Sequence, residues 1–283
     1  MIVALNMPRL SIIIVTYNSA SYIDTCLGSL IDSPPNVDHE IVLVDNASTD
    51  GTAAAIRSRW HGVRVVDAGA NLGFARANNL GIQQTFGELV LLLNPDTAVS
   101  NGAVDALVSV LDARPDVAVA GPRLIDADGR AELSFGHTMS PINELRQKLL
   151  VEASQRAGPI AAYVESITRK PQEVDWVSGA CLLVRRADAE AVGLMDERFF
   201  MYAEDVDFCA TIRARGRRVL FWPKAEIIHL RGRSRATASA ATERAYRRSQ
   251  LAFYEKHHPG WVPWLRWYLK VRGRLPDNPT KDG

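Results

Sequence analysis

Short apolar runs alternate with helix-like segments along the first 120 residues. Residues 11–17 read Ser-Ile-Ile-Ile-Val-Thr-Tyr, an apolar run without polar alternation, which is typical of a strand buried on both faces. Helical spacing and capping residues separate this run from later ones. We expect strands over 11–17, 40–46, 63–67, 88–93 and 117–120, helices over about 19–32, 73–85 and 102–113, and a helix start at 48–50.

Strands that alternate with helices of 10–15 residues predict a parallel sheet with right-handed crossovers. In such sheets, ligands bind beyond the carboxyl ends of the strands. Polar segments follow three of the predicted strands at these ends: Thr16-Tyr17, Asp45-Asn46 and Asn94-Pro95-Asp96. We therefore expect the ligand site at this edge of the sheet.

The second half of the chain has a less regular pattern. Residues 125–172 contain no strong apolar strand, and we expect loops there with one or two helices around 143–151. Beyond them the pattern predicts a strand over 176–185, a helix over 204–215, short strands over 218–222 and 227–230, and a helical tail. No internal repeat or low-complexity tract is visible.

Composition is that of an ordinary globular protein: 283 residues, 47% hydrophobic and 23% charged. No run of 18 apolar residues occurs, so we expect no membrane-spanning helix, and the apolar run at 11–15 lacks the flanks of a signal peptide. The three cysteines are scattered without metal-ligand spacing, which favours a reducing compartment. The expected location is the cytosol.

The net charge of +1 conceals an asymmetry along the chain. Residues 1–230 carry 21 basic and 28 acidic side chains, a balance of −7, whereas residues 231–283 carry 12 basic and 4 acidic, a balance of +8. This distribution predicts an acidic catalytic part and a basic tail that faces an anionic partner. Nucleic acid is a weaker interpretation, because no recognition-helix pattern accompanies the charge.

A nucleotide-binding sheet without a glycine loop needs another way to neutralise phosphate. The first strand is followed by Thr16-Tyr17-Asn18-Ser19, and neither the dinucleotide fingerprint nor the P-loop pattern occurs. A dehydrogenase is therefore disfavoured. A divalent cation held by carboxylates is the natural substitute, and Asp96 at a strand end suits that role, although Asn94-Pro95-Asp96-Thr97 also fits a simple turn.

Eight motifs together resemble the family-2 inverting glycosyltransferases of the nucleotide-diphospho-sugar transferase (GT-A) fold, most closely the bacterial rhamnosyltransferases. Each motif is weak alone, but they occur in family order across about 220 residues, which is a specific signal. The motifs are Val15-Thr16-Tyr17-Asn18, Val44 to Thr52 (VDNASTDGT), Asn71 to Asn78 (NLGFARAN), Leu93 to Asp96 (LNPD), Gly121 to Leu124 (GPRL), Val177 to Ala180 (VSGA), Phe199 to Asp207 (FFMYAEDVD), and His229 with Ser234.

The resemblance implies an α/β fold with a mixed sheet flanked by helices. It places a glycosyltransferase domain over 1–230, with a nucleotide-binding half (1–124) and an acceptor and catalytic half (125–230), followed by a basic helical extension over 231–283. In the first half, Asp45 would accept N3–H of uracil or thymine, and Gly73 would allow close approach to the donor, or simply begin a helix. The implied nucleotide-sugar-binding residues are Thr16, Tyr17, Asn18, Asp45, Asn46, Gly73, Asn78, Asn94 and Asp96.

The same resemblance implies Mg²⁺ or Mn²⁺ bound by Asp96, with His229 as a further ligand or a structural residue. Asn94 stands where the family usually has another carboxylate, which removes one charge from the expected metal site. On the opposite side of the sugar, the resemblance places the catalytic base at Asp205. Repulsion among the neighbouring acids would raise a pKa there, although the acids also suit the start of a helix. Supporting or acceptor-binding residues would be Trp176, Gly179, Glu204, Asp207 and Arg233, with Trp176 equally suited to the core.

The basic tail contains an amphipathic segment. Trp261, Trp264, Leu265, Tyr268 and Val271 have helical spacing on one face, among several cations. The pattern fits an interfacial helix on an anionic membrane equally well as a helix docked on the core.

From these features we expect an inverting enzyme that transfers a sugar, by resemblance L-rhamnose from dTDP-L-rhamnose, to a cell-surface glycan or polyprenyl-diphosphate-linked acceptor. It would be cytosolic or peripheral at the inner face of the membrane. The alternatives are a UDP-hexose donor on the same fold, or a catalytically inactive nucleotide-sugar-binding protein.

Overall fold

The computed structural model describes residues 7–154, 158–230 and 240–276. Its first half has the expected alternation of strands and helices. The elements are β1 (Leu10–Thr16), α1 (Ile23–Asp32), β2 (His39–Asp45), α2 (Thr52–Arg59), β3 (Val63–Asp67), α3 (Gly73–Gln83), β4 (Leu89–Leu93), β5 (Thr97–Val99), α4 (Ala103–Ala113) and β6 (Val117–Ile125).

The second half combines several very short strands with helices of varied length. Its elements are β7 (Ala131–Glu132), β8 (Phe135–Gly136), α5 (Pro141–Ser154), α6 (Pro159–Ile167), β9 (Gln172–Val174), β10 (Trp176–Val177), β11 (Cys181–Arg185), α7 (Arg186–Ala191), α8 (Glu204–Ala214), β12 (Arg218–His229), α9 (Ala240–His257), a 3₁₀ turn (Pro259–Trp261) and α10 (Val262–Val271).

One mixed sheet forms the centre of the molecule, in the order β3-β2-β1-β4-β11-β6-β12-β5. The first four strands in this order are parallel, and β11 runs antiparallel to β4 and β6. Ile12, Ile13 and Ile14 of β1 are all fully buried; because successive side chains point to opposite faces, both faces of β1 are covered. The expected α/β fold with a mixed sheet is confirmed.

Three local predictions were wrong. The helix after β1 begins at Ile23 because residues 19–22 first form a turn. The strand expected over 176–185 is two strands: β10 pairs with β8 in a separate small sheet and β11 joins the main sheet, with Ser178-Gly179-Ala180 between them. The two short strands expected over 218–230 form β12, whose pairing with β6 is irregular between Trp222 and Glu226, where Pro223 lacks an N–H donor.

The C-terminal helices pack on the second half of the molecule through a small apolar cluster. Phe253 and Tyr254 of α9 are buried against Phe199 and Met139, and Val262 and Leu265 of α10 pack on this cluster. Among the described residues, no helix has the length and apolar character needed to cross a bilayer.

Candidate active site

Two strand ends place the first pair of predicted residues side by side. Thr16 ends β1 and is in register with Asp45 at the end of β2. The Thr16 hydroxyl lies 3.4 Å from Asp45 Oδ1, and both residues are buried, whereas the neighbouring Tyr17 is half exposed. A buried carboxylate beside an exposed aromatic ring is therefore found at the predicted edge of the sheet.

The loops after β1 and β2 are tied together by side chains. Ser48 N–H donates to Asp45 Oδ2 at 3.1 Å. Thr49 N–H donates to Asn18 Oδ1 at 2.8 Å, and Asn18 N–H donates to Ser48 Oγ at 2.9 Å. The carboxylate of Asp45 is thus oriented by its own loop, while each of its oxygens has a further lone pair for a ligand.

Asn46 holds the turn that opens α3. Its Oδ1 accepts Leu72 N–H at 2.7 Å, and its Nδ2 donates to Asn71 Oδ1 at 3.0 Å. Asn78, which the resemblance places near the donor, is buried, and its Nδ2 donates to Phe74 O at 3.0 Å inside the same helix. Both amides have structural partners in the protein.

Gly73 permits a close contact within the protein. It has φ of +78°, and a Cβ there would meet the carbonyl oxygen of Phe200 and lie 2.6 Å from its Cδ2. Phe74 N–H donates to Phe200 O at 2.7 Å. The close contact at Gly73 is therefore between the start of α3 and the loop that precedes α8, and the approach to the donor that the resemblance implies stays a prediction.

Asp96, His229 and Glu132 form a buried cluster beside the end of β4. His229 Nε2 lies 3.4 Å from Asp96 Oδ1, and its Nδ1 lies 3.1 Å from Glu132 Oε2. Burial alone would lower the pKa of His229, but hydrogen bonds with Asp96 and Glu132 outweigh it and raise the pKa. The sequence predicted Asp96 and His229 but not Glu132.

The chemistry of this cluster fits a divalent cation shared with a diphosphate. Within the described part of the chain, no three His, Cys, Asp or Glu side chains are arranged to hold a metal by themselves. Mg²⁺ in nucleotide enzymes is typically bound by one or two carboxylates together with substrate phosphates and water. Asp96 and His229 would supply the protein ligands, and Glu132 would orient His229 through Nδ1.

Asp205 lies in the first turn of α8, close to the turn between β10 and β11. Its Oδ2 accepts Gly179 N–H at 2.9 Å, and its Oδ1 accepts Val206 N–H at 2.8 Å. Burial raises the pKa of Asp205 despite these two hydrogen bonds, which act in the opposite direction. Because each oxygen keeps a second lone pair, the carboxylate can still accept a proton.

Glu204 is buried next to Asp205, and its Oε2 has no hydrogen-bond partner among the residues that the structure describes. Burial is the main cause that raises the pKa of Glu204 well above its usual value, and the charge of Asp205 contributes less. The sequence predicts a pKa raised by repulsion among the acids, but desolvation is the larger cause for both carboxyls.

Backbone hydrogen bonds connect the Asp96 and Asp205 regions. Asn94 N–H donates to Ala180 O at 2.9 Å, two residues before Asp96. The neighbouring Gly179 donates its N–H to Asp205. The turn at 178–180 therefore joins the end of β4 to the start of α8, and the Asp96 and Asp205 regions both adjoin this turn.

Asp207 and Trp176 have partners within the protein. Asp207 is buried and accepts hydrogen bonds from Lys256 and His257 of α9, contacts that the sequence did not predict. Trp176 is half-buried, packs on Gly136 and donates its indole N–H to His137 O at 2.9 Å. Arg233 lies outside the described residues.

Three residues shortly before α8 carry exposed apolar side chains. Phe200, Met201 and Tyr202 are each exposed by more than a third. They belong to the FFMYAEDVD motif, but the sequence assigned them no role. Exposed aromatic surface a few residues before the Asp205 carboxylate is suited to packing against a sugar ring.

The sheet topology, with polar residues at its strand ends, matches the GT-A glycosyltransferase fold. Residues 11–171 match the family described as "Glycosyl transferase family 2", and this chain belongs to that family. It is 34% identical to the N-acetylglucosaminyl-diphospho-decaprenol L-rhamnosyltransferase of Mycobacterium tuberculosis, over 92% of this chain and 89% of that protein. It is 26% identical to the dTDP-rhamnosyl transferase RfbF of Shigella flexneri, over 78% of this chain and 68% of that protein.

Solved structures support the same fold. A mannosyltransferase from Pyrobaculum calidifontis, in complex with GDP-Man and Mn²⁺, has a TM-score of 0.60 at 20% identity, covering 92% of this chain and 69% of that one. GalNAc-T7 with UDP, GalNAc and Mn²⁺ has a TM-score of 0.63 at 18% identity, covering 96% and 59%. The family resemblance drawn from the motifs is confirmed, and the chain is a glycosyltransferase.

Proposed function

We propose that this chain transfers L-rhamnose from dTDP-L-rhamnose to a polyprenyl-diphosphate-linked sugar, with inversion at the anomeric carbon. The observation that supports this most is the partly buried carboxylate of Asp205, which has a raised pKa and is linked through the turn at 178–180 to the end of the strand that precedes Asp96. The names of the mycobacterial and Shigella relatives support the donor and the acceptor class.

In the proposed reaction, Asp205 accepts the proton of the acceptor hydroxyl. The acceptor oxygen forms its bond to the anomeric carbon as the bond from that carbon to the diphosphate oxygen breaks, so one displacement gives inversion. Gly179 N–H holds the carboxylate in place. A bound Mg²⁺ or Mn²⁺ would offset the negative charge of the departing diphosphate.

On the donor side, Asp45 would accept the N3–H of thymine or uracil, and Tyr17 would stack on the base. Asp96 and His229 would bind the cation that the diphosphate shares, and Glu132 would orient His229.

A donor panel tests this assignment. Purified protein is supplied with a polyprenyl-diphosphate-linked N-acetylglucosamine and, in separate reactions, with dTDP-L-rhamnose, UDP-glucose, UDP-N-acetylglucosamine or GDP-mannose, with Mn²⁺ or with EDTA. We expect acceptor-dependent release of dTDP only, abolished by EDTA. Preferential release of UDP would replace the rhamnosyl donor by a hexose, and binding without any release would indicate a non-catalytic protein.

We also propose that α10 places the enzyme on an anionic bilayer. Trp264, Trp267 and Tyr268 are exposed, and Trp264 and Trp267 meet edge to face at 6.4 Å. Arg272 lies over the Tyr268 ring. Exposed Trp and Tyr among cations are typical of an interfacial helix.

Docking on the core, one of the two possibilities that the sequence left open, is observed for one face of the helix. Leu269 is fully buried and Leu265 packs on the apolar cluster, so one face is docked on the core. The exposed face contains Trp267 in place of Leu265, unlike the predicted face. Sedimentation with phosphatidylglycerol vesicles, but not with phosphatidylcholine vesicles, is expected for the intact protein, and should be lost in the double variant Trp264→Ser/Trp267→Ser.

A further inference from the structure

The backbone that leads into the Asp205 helix is held in a rarely populated conformation. Tyr202 and Ala203 have φ of +71° and +63°, although neither is glycine. Side chains with a Cβ disfavour this left-handed region, and such residues persist only where their surroundings hold them. The surroundings of this segment therefore determine where Asp205 lies.

Helix α9 contacts this segment on both sides of the strained step. Ser249 Oγ donates to Met201 O at 2.8 Å, just before it. Just after it, Lys256 Nζ donates to Asp207 Oδ2 at 2.8 Å, and His257 Nε2 lies 2.7 Å from Asp207 Oδ1. Ser249 and Lys256 are seven residues apart, two helical turns, so one face of α9 makes both contacts.

Apolar packing fills the space between these polar contacts. Phe253 lies on the same face of α9, fully buried against Phe199. Val206 of α8 is partly buried on this cluster. The segment 199–207 is thus fixed to α9 by packing in its middle and by hydrogen bonds near its ends.

The Asp207 contacts carry charge in a buried place. The Asp207 side chain is 2% exposed, and Lys256 and His257 are 26% and 21% exposed. Lys256 also reaches Asp196 Oδ2 at 2.9 Å. A buried carboxylate that loses such a partner is strongly disfavoured, because its desolvation is no longer offset.

We propose that Lys256 and His257 are positioning residues for the catalytic base. By pairing with Asp207 they fix the first turn of α8, and Asp205 in that turn is thereby held at its distance from the acceptor hydroxyl. The inference rests on the proposed function of Asp205. The sequence predicts an anionic partner for the basic tail, and for Lys256 and His257 that partner is Asp207 within the protein.

The test compares Lys256→Met, which removes the charge at similar length, with Lys256→Arg, which keeps it. Arg266→Met is the matched control, because Arg266 pairs with Glu255 between α10 and α9 and leaves Asp207 untouched. Each variant is assayed for kcat, for donor KM, for donor affinity by calorimetry, and for the ratio of sugar transfer to donor hydrolysis by water.

We expect kcat for transfer to fall about 10- to 100-fold in Lys256→Met, since small displacements of a catalytic group can cost about 100-fold. Donor affinity should stay within about threefold, and the ratio of transfer to hydrolysis should fall. Lys256→Arg should recover most of kcat, and Arg266→Met should stay within about twofold of the parent. A folded Lys256→Met protein with unchanged kcat, or with kcat and donor affinity reduced equally, would overturn the inference.

Two further variants keep the outcome interpretable. If Lys256→Met does not fold, His257→Gln, which changes the other contact with Asp207, takes its place, and an unchanged ratio of transfer to hydrolysis would then count against the inference. Asp205→Asn is assayed in parallel. Full activity in that variant would refute the proposed base itself, whereas an inactive Asp205→Asn beside a fully active Lys256→Met would refute only the positioning role.

Discussion

The proposed donor side and the proposed base side of the site are built in different ways. On the donor side, Asp45 and Asn18 are oriented by hydrogen bonds within two adjoining loops at strand ends. On the base side, Asp205 is oriented by Gly179, which lies 26 residues earlier. Its helix is joined through Asp207 to Lys256 and His257, which follow Asp207 by 49 and 50 positions. Asp45 and Asn18 are therefore held by the loops that follow β1 and β2, whereas the helix that carries Asp205 is held by the C-terminal helix α9.

The largest effect is expected on the base side, from Asp205→Asn. The amide cannot accept the proton of the acceptor hydroxyl, and general-base catalysis contributes about 10²- to 10⁴-fold. We expect kcat to fall about 1,000-fold, with donor affinity by calorimetry changed less than about threefold. If donor affinity fell as far as kcat, donor binding and base catalysis would depend on the same residue, which would contradict the distinction between the two sides.

Gly73→Ala should break the contact between the two sides. A Cβ at this position would collide with the backbone and ring of Phe200, and φ of +78° is unfavourable for alanine. We expect a loss of about 2–3 kcal/mol in the free energy of unfolding, measured by denaturant titration. Gly102→Ala is a suitable control, since Gly102 also has a positive φ but has nothing within 4 Å of the position that a Cβ would take; an equal loss in both would leave only backbone strain as the cause.

The sequence predicted the strand ends that carry the proposed donor-side residues, because the signals for these strands are local. Continuous apolar runs predict β1, β2 and β4, and the polar residues that end these strands, Thr16, Asp45 and Asn94 to Asp96, follow directly. Glu132 could not be predicted in this way, since it lies in a two-residue strand and meets His229 from 97 positions away. Lys256 and His257 stood out only as part of a basic tail, because their partner Asp207 is identified only by the tertiary fold.

Glu132→Gln should have an intermediate effect, confined to the donor side. Glu132 accepts from His229 Nδ1 and is suited to orient that ring. Outer partners of metal-binding histidines are worth about 10- to 100-fold in metal affinity. We expect Mn²⁺ affinity, measured by calorimetry in the presence of dTDP, to fall about 10-fold, with the ratio of transfer to hydrolysis unchanged. Unchanged Mn²⁺ affinity would contradict the role assigned to Glu132.

Of the two neighbouring carboxyls, Asp205 rather than Glu204 should shape the pH dependence of catalysis. Because burial raises the pKa of Asp205, the base becomes protonated, and kcat/KM falls, at a higher pH than for an ordinary aspartate. Burial raises the Glu204 pKa further, and the charge of Asp205 adds to it. Glu204 should therefore already be neutral over the pH range in which Asp205 titrates.

Glu204→Gln should for this reason have the smallest effect on the pH profile. A neutral amide replaces a carboxyl that is already neutral, so the acid limb of kcat/KM should move by less than about 0.3 pH units. The sign of the stability change follows from the raised folded-state pKa. Ionised Glu204 lowers the free energy of unfolding, by its full amount above the folded-state pKa and by less as the pH falls below it. Removing it should raise the free energy of unfolding at high pH by up to about 1 kcal/mol, and leave it nearly unchanged below the unfolded-state pKa. If the acid limb of kcat/KM moved to lower pH in Glu204→Gln, Glu204 would have to be ionised beside Asp205. Repulsion between the two carboxylates, rather than burial, would then set the pKa of the base.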